Sequence, residues 1–398
     1  MNILVLNCGS SSAKFAVIDA ESGLERVSGI AQRLGSAEAS LDWKVNGEKG
    51  SRALPGAAHD VALRGAVELL DELGLAAGLA GVGHRVVHGG ARFSGSIVIT
   101  PPEVVAQVEA CIPLGPLHNP PNLLGIAIAT ELFPALPQVA VFDTAFHQTM
   151  PPRAYTYPVP YAWLEEHEVR RYGFHGTSHR FVAQAAVEAL DLDPTDHAIV
   201  TAHLGNGASA AAVRDGRSVD TTMGLTPLEG LMMGTRSGSI DPAIIGHMAQ
   251  ALDADAADIL NALNKQSGLL GVSGLSNDLR TLEDAAADGH ARAQLAIDVF
   301  CYVLAKSVAG LVVPLGRLDA LVFTGGIGEN SSVVRARVLE QLGFLGLTLD
   351  AEANERCVRG VTGRVTASLR PQAVVIPTNE ELMIARDTAA LVAPTGLA

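Results

Sequence analysis

Short apolar blocks that end on runs of small polar residues occur at two widely separated places in the chain. Ile3-Leu4-Val5-Leu6 gives way to Asn7-Cys8-Gly9-Ser10-Ser11-Ser12 and then to a second block from Lys14 to Asp19. Ile199 to Leu204 gives way to Gly205-Asn206-Gly207, a second block from Ala208 to Val213, a turn at Asp215-Gly216 and a short strand from Arg217 to Thr221. Both stretches predict a buried strand, a tight turn and a second strand. Turns of Gly, Ser and Asn expose backbone N–H groups with little side-chain obstruction, as phosphate binding requires. Either turn alone reads better as an ordinary hairpin; their repetition suggests a duplicated domain that grips one polyphosphate from two sides.

The same periodicities organise the rest of the chain. Leu41, Trp43 and Val45 alternate as in a half-exposed strand, and Ala57 to Leu73 has helical spacing through Val61, Val67, Leu70 and Leu73. Gly81 to Val87 and Gln138 to Phe142 read as short buried strands, with helices at Pro102 to Ala110 and Pro121 to Phe133 between them. After the strands at Ala198 to Thr222 come helices near Ala256 to Asn264 and from His290 to about Val313. A strand at Asp319 to Thr324 runs into Gly325-Gly326-Ile327-Gly328-Glu329-Asn330 and a helix beginning near Ser331. A last strand, Ala373 to Ile376, ends at Pro377-Thr378-Asn379-Glu380-Glu381 before a closing helix. The expectation is an α/β protein of two domains, 1–150 and 151–379, the first completed by the closing helix over 380–398. Pro151-Pro152 and the Tyr157 to Tyr161 segment mark the crossing.

Composition narrows the function classes. A chain of 398 residues exceeds one ordinary core, and its 48% apolar content can fill two. The formal charge of −14 with no basic cluster argues against a nucleic-acid or anionic-membrane surface, so an anionic ligand must be held locally. No uninterrupted apolar run reaches the roughly 18 residues of a membrane span, and the N-terminus lacks signal-peptide character. Cys8, Cys111, Cys301 and Cys357 form no C-x-x-C pair, so neither a zinc site nor a disulfide framework is indicated. The expected compartment is the cytoplasm.

Several chemistries are absent: no G-x-x-x-x-G-K-[ST] loop, no G-x-S-x-G elbow, and His167-Glu168 lacks the second histidine of a zinc helix. His84 and His88, like His175 and His179, are four apart, but the first pair lies on an extended segment and His175 precedes the helix that contains His179. Neither pair is expected to converge on a metal. Arg85, in Gly83-His84-Arg85-Val86-Val87-His88-Gly89-Gly90, and Arg236, in Met233-Gly234-Thr235-Arg236-Ser237-Gly238, sit among small residues where a guanidinium can grip a carboxylate or phosphate bidentately. Isolated arginines are more often surface ion-pair partners. Asp143 follows a strand at its C-terminal end, a usual site position in an α/β sheet and also a usual cap. The glycine-rich turn after Thr324 has the strand-to-helix geometry used for nucleotides, weak evidence alone.

Taken in order, these segments resemble the acetate kinase family. Val5 to Ser12 and Gly83 to Gly90 look like two of its signatures. Leu117-His118-Asn119-Pro120-Pro121-Asn122, Val141 to His147, Tyr172-Gly173-Phe174-His175-Gly176-Thr177-Ser178-His179, Met233 to Gly238 and Pro377 to Glu381 are similar to further family segments, across essentially the whole chain. The resemblance implies duplicated ribonuclease-H-like (actin-like ATPase) domains with an interdomain nucleotide cleft. It also implies a homodimer and reversible, magnesium-dependent transfer between ATP and acetate, giving ADP and acetyl phosphate, with manganese as a substitute metal. By the same resemblance Arg85 holds the acetate carboxylate, His175 and Arg236 stabilise the transferring phosphoryl group with His118 assisting, and Asp143 orients Arg85 and the magnesium shell. Asn7 and Glu380 match the metal positions. Lys14, His203, Leu204, Gly205, Asn206, Gly207, Asp278, Leu279, Arg280, Gly326, Ile327, Gly328, Glu329 and Asn330 match the nucleotide segments. Val87, Leu117, Phe174 and Pro227 match the pocket around the acetate methyl.

One departure is Ser239, where most members carry Asp; a carboxylate lost beside Arg236 is expected to alter that arginine's orientation or charge balance. Two alternatives stay open. A propionate or butyrate kinase differs by a methylene or two, worth only about 1–3 kcal/mol of discrimination. A nucleotide-dependent binding protein or chaperone ATPase would need no carboxylate-gripping arginine.

Overall fold

The first apolar block becomes strand β1 (Asn2–Cys8), which turns back as β2 (Ser12–Asp19) and continues the antiparallel meander through β3 (Glu25–Gln32), β4 (Ser40–Val45) and β5 (Glu48–Ala53). Three further strands, β6 (Leu79–Val86), β7 (Ile97–Val98) and β8 (Gln138–Phe142), complete an eight-stranded sheet in the order β5-β4-β3-β2-β1-β6-β8-β7. In the second half, β9 (Ala198–Leu204), β10 (Ala208–Arg214), β11 (Arg217–Thr221), β12 (Ala320–Thr324), β13 (Gly363–Arg364) and β14 (Gln372–Val375) form a six-stranded sheet in the order β11-β10-β9-β12-β14-β13.

The shared pattern is an antiparallel meander whose first strand pairs in parallel with a later one: β1 with β6, and β9 with β12. The duplication expected from the two apolar blocks is therefore present in both sheets. β8 and β12 are buried at every position, which is why Gln138 to Phe142 and Ala320 to Thr324 read as near-continuous apolar runs rather than alternations.

This computed structural model describes residues 1–393, and the chain divides into two units: Met1–Phe146 with the segment from Asn379 onward, and His147–Thr378. In the first unit, the C-terminal helix Glu380–Val392 packs on β1, β2, β6 and β8; residues 394–398 of the expected closing helix lie outside the described residues. The helix expected over 57–73 spans His59–Glu72, but its buried face is Ala62, Leu63, Ala66, Leu69 and Leu70. Val61 and Leu73, two anchors of the expected stripe, are exposed. Alanines complete the true face, and a pattern counted on larger residues slips around the helix.

In the second unit, the Ala291–Leu315 helix is long and apolar enough to cross a membrane by length and composition alone, yet one side of it is buried against β9, β10, β11 and neighbouring helices. The glycine-rich segment after β12 is itself helical, Gly325–Asn330, and Ser331 then caps a second helix, Ser332–Gln341. Gly325 has φ +75° and a Cβ there would meet the Leu204 backbone at 2.8 Å, so β9 and this turn touch only because the position is glycine.

Candidate active site

In the first unit the site groups gather where β1, β6 and β8 end. Asp143, directly after β8, is anchored by its backbone N–H to the Val86 carbonyl at 3.0 Å and is almost fully buried. Arg85, on β6, meets it fork to fork: Nε donates to Oδ1 at 2.9 Å and Nη2 to Oδ2 at 2.7 Å. Burial works against the guanidinium charge, but the facing carboxylates of Asp143 and Glu380 outweigh it and hold Arg85 protonated well above its ordinary value.

Glu380, in the first turn of the C-terminal helix, has its carboxyl pushed upward by burial and by Asp143, with Arg85 and Lys14 opposing. Its Oε1 is buried without a hydrogen-bond partner. Asn7 near the end of β1 faces Lys14 across the β1–β2 pair, and both line a groove of about 490 Å³ together with Glu381. His118 begins the Asn119–Leu132 helix as its cap residue. Val87 is partly buried one residue beyond β6, whereas Leu117 is 66% exposed.

The second unit holds the remaining groups in two clusters. His175 caps the Gly176–Ala189 helix from a left-handed conformation, φ 55°, uncommon for a side chain of that size and frequent at functional sites. Its Nδ1 lies 2.9 Å from Ser209 Oγ, and the same oxygen lies 2.8 Å from Nε2 of His179. A hydroxyl has one hydrogen, so Ser209 donates to one of these rings at most and accepts from at least one. Burial, with His147 and His203 nearby, pushes His179 well below its ordinary value and keeps it neutral.

Arg236 donates through Nη1 to the Pro227 carbonyl at 2.9 Å. Burial pushes its guanidinium downward, and no carboxylate among the described residues pairs with it. A Cβ built on Gly207 would lie 3.5 Å from His175 Nε2 and 3.6 Å from Arg236 Nη1, which places the imidazole, the guanidinium and the β9–β10 turn together. Phe174 is buried, and its carbonyl lies 3.0 Å from His147 Nε2.

The second cluster is a cleft of about 440 Å³ lined by Gly205, Asn206, Asp278, Leu279, Arg280, Gly326, Ile327 and Asn330, all expected from the sequence, and by Asn277, Glu283 and Ser331, which were not. Asn277 donates to Asn206 Oδ1 at 2.9 Å and Ser331 to Glu283 at 2.5 Å; these are unremarkable polar residues in sequence, visible only once the loops meet. The helical turn at Gly325–Asn330 sorts its own residues. Gly326, Ile327 and Asn330 face the cleft, while Gly328 is buried and Glu329 turns back to accept from the Gly325 and Thr378 N–H groups. His203 and Leu204 are likewise not cleft residues: His203 stacks on His175 at 4.4 Å and accepts or donates at Ser178, and Leu204 is core. Lys14 lies in the other unit altogether.

Ser239 is the departure from the family pattern noted in the sequence. It is exposed, and it binds Gly230 through both its backbone N–H (3.0 Å) and its Oγ (3.1 Å) rather than Arg236.

The family model described as "Acetokinase family" matches residues 2–386. The chain belongs to the acetokinase family. Among its relatives, the acetate kinase of Deinococcus radiodurans is 55% identical over 395 residues, covering 99% of each chain, and that of Chromobacterium violaceum is 55% identical over 390 residues, 98% of each. Two solved structures, a propionate kinase from Francisella tularensis and the Porphyromonas gingivalis acetate kinase, each superpose with a TM-score of 0.93 at 44% identity, covering 98% of this chain and 99% of theirs. Membership in this family and the repeated sheet order agree on the duplicated actin-like ATPase fold that the sequence motifs imply.

Proposed function

We propose that this chain is an acetate kinase that transfers the terminal phosphoryl group of ATP directly, in line, to a carboxylate oxygen of acetate. The new P–O bond forms as the bond to the ADP oxygen breaks, giving acetyl phosphate and ADP, and the reaction is reversible. The observation that carries this reading is Arg236: a half-buried guanidinium without a carboxylate partner among the described residues, beside His175 and a glycine turn, is placed to receive an anion. A phosphoryl group whose charge spreads over its equatorial oxygens during transfer is such an anion.

The cleft at Asn206, Asp278–Arg280 and Gly326–Asn330 takes the nucleotide. Arg85, fixed by Asp143, receives the acetate carboxylate, which is already ionised and requires no general base. His175 and Arg236 bind the phosphoryl oxygens and His118 assists. By the family resemblance Val87 and Leu117 of the first unit and Phe174 and Pro227 of the second contribute to recognition of the acetate methyl, and recognition of this kind admits propionate as a poorer substrate.

Magnesium fits the residues present. The partnerless buried Oε1 of Glu380 and the amide oxygen of Asn7 are hard donors, and phosphate oxygens and water complete such a shell. Bound there, the ion neutralises phosphate charge. Manganese, with the same oxygen preference, is the expected substitute. The enzyme works in the cytoplasm as a homodimer; its four cysteines are all free thiols, as a reducing compartment permits.

Purified protein with magnesium, ATP and acetate should give a hydroxylamine-trappable acyl phosphate, and ATP from acetyl phosphate and ADP. Absence of both products overturns the assignment.

A further inference from the structure

The β1–β6 pair stops short of the site. Its parallel register runs from Asn2 to Leu6, where Leu6 faces His84, and the strands then separate as Asn7 and Arg85 are reached. At that gap a side chain takes over from the ladder. Asn122, 3% exposed, accepts the Val87 N–H on Oδ1 at 3.0 Å and donates Nδ2 to the Cys8 carbonyl at 2.8 Å. Its amide has the donor and acceptor of a peptide unit, and here it fills the place of one between the two strands.

One turn earlier, Asn119 holds the residue after Val87 at both ends, accepting the His88 N–H at 3.1 Å and donating to the His88 carbonyl at 2.9 Å, without reaching β1. The helix carrying both cannot shift. Three residues past Asn122, a Cβ on Gly125 would lie 2.5 Å from Cys8 Sγ, so the Asn119–Leu132 helix is pressed onto β1 at a contact only glycine allows.

We infer that Asn122 is a positioning residue that sets the separation between the Asn7–Cys8 end of β1 and the Arg85–Val87 segment. In doing so it sets the spacing between the metal donor and the carboxylate-gripping arginine. The inference rests on the acetate kinase reading above, in which those two strand ends hold magnesium and acetate. Asn122 touches neither ligand; both of its hydrogen bonds end on backbone.

Two variants test it. Asn122→Ala removes the bridge. Asn122→Gln keeps the donor and acceptor but lengthens the side chain by one methylene, so it changes the spacing with little change in chemistry and serves if the alanine variant fails to fold. In each, the KM for acetate and the magnesium concentration for half-maximal rate should rise about tenfold or more, while the KM for ATP stays within about twofold, measured on protein shown folded by circular dichroism. A residue that only stabilised the fold would lower the melting temperature and leave these constants unmoved, and that result overturns the inference. An inactive wild type would instead overturn the acetate kinase reading, so the two failures are told apart by the parent enzyme.

Discussion

Arg85 and Arg236 belong to similar glycine-bearing motifs, yet the structure treats them in opposite ways. Arg85 is held bidentately by Asp143, with the charges of Glu380 and Glu381 acting in the same sense, so its charge is balanced and its plane is fixed before any ligand arrives. Arg236 is steadied by the Pro227 carbonyl and the Met233 thioether and, half-buried, has no carboxylate partner among the described residues. A pre-paired arginine suits orientation of a small carboxylate in the ground state. An unpaired one gains most when negative charge develops next to it, which happens during transfer rather than before it.

The sharpest way to break this contrast is Arg236→Ala. Turnover should fall about a hundredfold or more, with little change in nucleotide affinity, since the lost interaction strengthens only as the phosphoryl group moves. An unchanged kcat with a raised KM for ATP would make Arg236 a ground-state binder like its counterpart. Steady-state kinetics in both substrates, together with fluorescence titration of ATP, decides the matter.

On the other side, Asp143→Ala should release Arg85 from its fixed plane. The expected loss in kcat/KM for acetate is about 30-fold, smaller than for Arg236→Ala because the cation itself remains. If kcat falls while the KM for acetate is unchanged, Asp143 acts on the reacting groups and not through Arg85.

Val87→Ala sharpens the picture of what Arg85 orients. Arg85 and Val87 are both partly exposed while Val86 between them is buried, so the two share one side of the extended segment. Removing two methyl carbons should raise the propionate-to-acetate ratio of kcat/KM about tenfold. An unaltered ratio would place Val87 away from the methyl group.

The smallest effect should come from Ser239→Asp, which restores the residue common in the family. Ser239 holds the Gly230 backbone and not Arg236, so turnover is expected to change less than about twofold. A large gain would mean that a carboxylate at this position does reach the guanidinium.

The parts of the molecule legible in sequence are those in which local chemistry and tertiary role coincide. The strand-turn-strand blocks, the buried runs at β8 and β12, and the glycine-rich start of the Gly325–Asn330 turn all announced themselves, because short-range pattern alone specifies them. β3 and β5 did not. Glu25–Gln32 and Glu48–Ala53 are polar and mixed in burial, the second at the sheet edge, and they carry little periodic signal. Within the candidate site, motif matching could not tell which residues of a segment face a cleft. Gly326 and Asn330 face it, while Gly328 and Glu329 turn inward, a division made by helical rotation. Asn277, Glu283 and Ser331 join the cleft through contacts between distant loops, and no spacing rule contains that information.

The return of the chain at Asn379 has a consequence for biosynthesis. The sheet of the first unit is finished at Phe142, but the helix that covers β1, β6 and β8 is made more than two hundred residues later, after every strand of the second unit. Its seat is exacting: a Cβ on Gly83 would lie 2.4 Å from Thr388 Oγ1 and 2.8 Å from Ile384 Cγ2. During translation the earliest-made sheet therefore waits with one apolar face open until the last-made segment of the chain arrives. Limited proteolysis of a released chain truncated after Thr378 should cut the first unit readily and spare the second. Equal resistance would mean that the early sheet finds some other cover in the meantime.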